Sequence, residues 1–236
     1  MRIHRTFNLV AGVAMLGCLA VASSGSIVGS AHDFSDEGWA DNQICKPCHT
    51  PHNAMLLSGG QFDVGQTAPL WNHEVTVASY VVFDGTTLTT HDALDSRSIL
   101  CMSCHDGTVA LDSFGGNTGV QFITGDEKLG TDLQDDHPVG ATAIYPDVPY
   151  MNDPVNWENS PHGFTLQDMD VDGSVERVVS CTTCHEPHKR HGNEYMLWVN
   201  NDGSALCLTC HLMAGASVIT SSANRDVQNR NNMAGL

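Results

Sequence analysis

Eight of the nine cysteines in the chain fall into one arrangement used four times: Cys45-Lys-Pro-Cys48-His49, Cys101-Met-Ser-Cys104-His105, Cys181-Thr-Thr-Cys184-His185 and Cys207-Leu-Thr-Cys210-His211. Cys-x-x-Cys-His is the attachment signature of haem c. Two thiols three residues apart can add to the two vinyl groups of one porphyrin, and the His that follows is carried under the ring to bind the iron. Structural zinc in Cys₄ sites does not need a His after every second Cys. Four disulfides in an exported chain would leave all four of those histidines unexplained. With 9 Cys and 13 His in 236 residues, four such matches are not chance. The pattern predicts four haem c groups, eight thioether cysteines, and His49, His105, His185 and His211 as proximal iron ligands.

Four macrocycles also resolve a problem of composition. The chain has 7 Phe, 4 Trp and 4 Tyr against 22 Gly and 9 Pro, too little for a large conventional core. Porphyrins can supply the missing apolar interior. The expected fold is therefore mostly irregular coil around a haem stack, with a few short helices at the attachment sites and minimal sheet. Val75 to Phe83 is the β-like run, and the turn at Asp84-Gly85 can close it into a hairpin.

Residues 1–31 read as a secretory signal, cleaved somewhere between 22 and 31. Arg2 and Arg5 precede an uncharged apolar run to Val21, followed by small residues. Cys18, the ninth cysteine, lies in that run and reads as one of its apolar residues. Residues 32–236 then form the tetrahaem domain. It keeps 8 basic and 27 acidic residues, a net charge of −19, and no second apolar run of membrane length. That charge argues against nucleic acid, whose phosphates need clustered Lys and Arg. The expected location is outside the cell or on its surface, with the periplasm as the alternative.

Each iron needs a second axial ligand unless it binds a substrate. Eight further histidines follow the signal: His32, His52, His73, His91, His137, His162, His188 and His191. Four suffice for bis-His ligation, so no open iron is required, and no bond-making chemistry is expected. His52 and His188 stand out because Cys-x-x-Cys-His-x-Pro-His occurs twice, as 45–52 and 181–188. Three residues reach at most about 11 Å, so two histidines so spaced can serve two irons only if the haems are close neighbours. His32 is the third distal candidate and His137 the fourth, with His162 its main competitor. His73, His91 and His191 read as surface or packing residues.

Asp168, Asp170 and Asp172, with Gly173, match the first half of a calcium loop. The twelfth position is Val179, which excludes a complete EF-hand. A single looped Ca²⁺ site stands against a solvated acidic turn.

Taken together, these residues resemble the tetrahaem extracellular cytochromes that polymerise into filaments, the cytochrome nanowires. The similar stretches are His32 to Ser35, Ile44 to Asn53 (ICKPCHTPHN), Ala68 to Asn72 (APLWN), Leu100 to Ala110 (LCMSCHDGTVA), Asp135 to Pro138 and Ser180 to His188. The resemblance implies four bis-His haems in a continuous stack, and one distal His crossing into the next subunit, a role that falls to His52. It also implies two kinds of partner: copies of the chain itself, and a redox protein or mineral outside the cell as electron acceptor. Residues 151–177 and 214–236 have no counterpart in it. A monomeric periplasmic shuttle is the first rival. A multihaem reductase is the second and needs a five-coordinate haem.

Overall fold

The computed structural model describes residues 26–54, 70–158, 163–171 and 173–212. Most of this chain is loop. Its regular elements are two hairpins, β1–β2 (Ser79–Val81, Thr87–Thr89) and β3–β4 (Gln167–Val171, Ser174–Val178), and four helices, α1 (Thr90–Ala93), α2 (Ser96–His105), α3 (Cys181–Cys184) and α4 (Cys207–Cys210). Three of the four helices contain an attachment motif, so regular structure is concentrated where porphyrins are to be held. This matches the expected coil-rich architecture.

The first hairpin lies where the β-like run predicts it. Gly85, at φ +84°, makes the turn, and its N–H donates to Val82 O at 2.8 Å. Tyr80 is fully buried beneath the hairpin, and its hydroxyl donates to Asp106 at 2.6 Å. Thr89 caps α1. Asp95 caps α2, accepting from the Arg97 and Ser98 amides at 3.0 and 3.2 Å. An Asp at this position satisfies amides that lack helical partners. One apolar cluster forms here around Trp71, Tyr80, Leu94, Ile99 and Met102.

The second hairpin occupies the acidic stretch. Val171 pairs with Ser174 across the hairpin end, with Gly173 at φ +83°. Met169 and Val178 turn inward and are buried, while Asp168 and Asp170 are on the exposed face. Asp-Gly between alternating strands is a strong hairpin signal. A second small cluster of Trp157, Phe164, Leu166 and Val199 lies beside it.

The two halves meet closely. Gly140 (φ +65°) donates to Val179 O at 2.9 Å, and a Cβ built on it would lie 2.1 Å from Ala93 O. Nearby, buried Ser180 donates to Asp95 at 2.9 Å, which ties the start of α3 to the start of α2.

Candidate haem centres

All four motifs adopt the same turn. The His amide bonds back to the first Cys carbonyl at 2.8 Å for His49 to Cys45, 3.0 Å for His185 to Cys181 and 2.9 Å for His211 to Cys207. The second motif, Cys101 to His105, lies within α2. Residues three apart on such a turn share a face, so each thiol pair is side by side and the His follows one position on. None of these eight cysteines forms a disulfide. Burial pushes the Cys48 thiol up to about 11 and the Cys184 thiol up to about 12, with neighbouring thiols adding to the effect. Cys101 is raised by the Cys181 thiol lying against it and by burial. As thioethers these sulfurs carry no charge, so attachment removes that cost. The contact also places the second and third attachment turns edge to edge.

Beyond the motifs, the chain brings a second imidazole to three of the four. His188 stacks opposite His49 with ring centres 6.2 Å apart, His32 faces His105 at 6.1 Å, and His137 faces His211 at 6.3 Å. With metal–nitrogen bonds of about 2.0–2.1 Å and ring centres about 1.1 Å behind the nitrogen, two imidazoles on one metal sit roughly 6.2–6.4 Å apart. All three pairs lie at or close to that distance. The residues therefore fit bis-His haem. A second observation agrees: the buried indole N–H of Trp71, edge-on to His49 at 6.1 Å, has no acceptor among the described residues.

Hydrogen bonding orients these rings for ligation. Nδ1 donates to a backbone carbonyl in His105 (Glu127, 2.8 Å), His185 (Tyr195, 2.8 Å), His32 (Pro187, 3.1 Å) and His137 (Pro138, 3.0 Å). A carbonyl only accepts, so the proton is on Nδ1 and the Nε2 lone pair is left for a metal. Burial lowers the His32 pKa and the nearby His105 adds to this, so the ring is held in the neutral form that ligation needs.

Local structure explains how each ligand is delivered. A run of turns, Ser30 N–H to Ile27 O through Gln43 N–H to Ala40 O, carries His32 across the molecule. The last attachment turn is held by residues 145–157. Asn152, buried, bonds both the Cys210 carbonyl (2.7 Å) and the Thr209 carbonyl (2.9 Å), while Trp157 and Tyr145 donate to Asn152 O.

The remaining sequence candidates behave differently. His52 is exposed and joins no ring pair, and no imidazole among the described residues pairs with His185, which is also exposed. His73 is buried with Nδ1 2.7 Å from Glu74 O and Nε2 3.0 Å from Ala110 O, so each nitrogen faces a backbone carbonyl and the single N–H of the neutral ring donates to one of them. His191 packs on Trp198 at 5.3 Å, and His91 is exposed on α1. His162, Asp172, residues 1–25 of the signal and 214–236 lie outside the described residues. Asp168 pairs with Arg177 at 3.2 Å, and no cluster of three metal-ligating side chains occurs among the described residues, Asp168 and Asp170 included.

Two residues of the site gave no sequence signal. Glu186, buried between two histidines, bonds His188, and Asp106 collects Thr76, Tyr80 and Thr108 beside His105. A Glu inside a Cys-x-x-Cys-His-Glu-Pro-His run was the one available hint.

Residues 175–215 match the model of the doubled CXXCH motif family, covering the third and fourth attachment turns. No curated protein matches the chain. The doubled motif indicates covalent c-type haem binding, and it points to a multihaem c-type cytochrome that transfers electrons. No helix among the described residues is long and apolar enough to cross a membrane.

Proposed function

We propose that the chain carries four bis-His haem c groups in close contact and conducts electrons along them outside the cell, as one subunit of a filament. The bound haems supply one-electron iron couples, and the protein makes and breaks no bonds. Its side chains fix attachment, supply axial nitrogens, set local polarity and hold neighbouring sites together. The supporting observation is the count of imidazole pairs: three attachment histidines face a partner at single-metal distance, and His185 faces none among the described residues, which do not include His162.

The missing partner follows from the repeated eight-residue pattern. His188, three residues after the third attachment His, reaches the first site. By the same logic His52, three residues after the first attachment His, serves the third. It is exposed and joins no ring pair among the described residues, which leaves it available to a second copy. The resemblance to filament-forming tetrahaem cytochromes points the same way. A redox protein or mineral is then the terminal acceptor.

The exposed His185 favours one other reading, a five-coordinate third haem that binds a small substrate. Negative-stain microscopy with an electron paramagnetic resonance spectrum of the same haem-loaded protein separates them. Filaments with four low-spin haems, reduced by His52→Ala to particles with one high-spin haem in four, are expected. Discrete particles with four low-spin haems indicate a shuttle. Discrete particles with one high-spin haem indicate the substrate-binding alternative.

A further inference from the structure

Five of the candidate ligand histidines hold Nδ1 against an acceptor, and four of those acceptors are neutral backbone carbonyls. His188 is different: its Nδ1 donates to the Glu186 carboxylate at 2.9 Å. The Glu186 side chain is only 1% exposed, and it also accepts from the His188 amide (3.2 Å) and the Arg190 amide (2.6 Å). Among the described residues the cation in contact is Arg190, its Nε at 3.2 Å on a side chain that is 66% exposed. The His188 side chain is 50% exposed, so water reaches both partners of the buried carboxylate.

A carboxylate on the far nitrogen of a ligating imidazole draws its proton, raises the basicity of the other nitrogen and favours the more highly charged metal. We propose that Glu186 lowers the reduction potential of the first haem through the His188 ring. This rests on His188 being the second ligand opposite His49. The two repeats are unequal at this position. Thr50 stands where Glu186 does, and its hydroxyl donates to the His52 carbonyl at 2.7 Å. The two exchanged histidines therefore carry different second partners, one anionic and one without a charged neighbour from its own repeat. The electron path is uneven by design of that one residue.

Potentiometric titration of the haem-loaded full chain, followed by electron paramagnetic resonance, tests this. Glu186→Gln keeps the acceptor and removes the charge. It should raise one of the four midpoints by about tenfold in the reduction equilibrium, 59 mV for one electron, and leave the other three in place. Arg190→Ala removes the cation from the same carboxylate and should move the same midpoint down. Unmoved midpoints with a native low-spin spectrum overturn the proposal. Should Glu186→Gln fail to accumulate with haem, an unmoved midpoint in Arg190→Ala overturns it alone. His188→Ala tests the underlying assignment separately. Four low-spin haems in that variant remove the ligand reading, whereas one high-spin haem beside a silent Glu186→Gln removes only the role of Glu186.

Discussion

The imidazoles of His49 and His188 lie within 18° of parallel with their centres 6.2 Å apart, although 139 residues of chain separate them. Two rings so placed leave room for one metal between them. The pairs His32–His105 and His137–His211 repeat the spacing. Replacing His32 or His137 by Ala should each convert one haem in four from low to high spin, read by absorption and paramagnetic resonance, with exogenous imidazole restoring the low-spin form.

His73 is the control. Both its nitrogens face backbone carbonyls and its side chain is buried. His73→Ala strands the carbonyl that its N–H satisfies and opens a small cavity, a cost of about 2–4 kcal/mol. Chemical denaturation should show that loss while all four haems stay low-spin.

Asp95 gives the chain a pH-dependent joint. Burial raises its carboxyl above the usual 3.8, against the lowering effect of the Ser98 and Ser180 hydroxyls. A native state that holds the proton more tightly than the unfolded chain gains stability at low pH. That gain is full below 3.8 and is lost as pH rises through the native value. Denaturation midpoints of the wild type and Asp95→Asn should therefore shift relative to each other as pH rises above about 3.8, in favour of the variant at the higher pH. A pH-independent gap would count against the buried carboxylate.

Gly140 and Gly173 both have positive φ, but only one is crowded. Gly173→Ala meets nothing within 4 Å and should cost about 1–2 kcal/mol for the backbone alone. Gly140→Ala also drives a methyl into the Ala93 carbonyl. Its loss should exceed that of Gly173→Ala clearly in the same denaturation assay.

Much of this was legible in the residues because attachment is a local event. Four five-residue motifs named eight cysteines and four histidines, Asp84-Gly85 placed a hairpin, and scarce aromatics with abundant Gly and Pro announced a coil-rich chain. Three of the four favoured distal histidines are found opposite attachment histidines. Which of them pairs with which is decided by contacts between distant segments, and no local spacing encodes that. Asp168 to Gly173 carried two meanings, because an acidic run ending in Asp-Gly suits a cation loop and a tight hairpin equally. Pairing of Val171 with Ser174 and burial of Met169 and Val178 show the hairpin strands on either side of it. Glu186 and Asp95 look like ordinary acidic residues until the fold removes their water.

The pairing of His49 with His188 has a consequence for the order in which the protein is made. The first attachment turn emerges early, and the imidazole facing it is synthesised only with the third. On the function proposed here, a haem joined to Cys45 and Cys48 keeps one axial face open until the third attachment turn has been made. Chains truncated before residue 188 should then carry a first haem that reports the defect by its spin state.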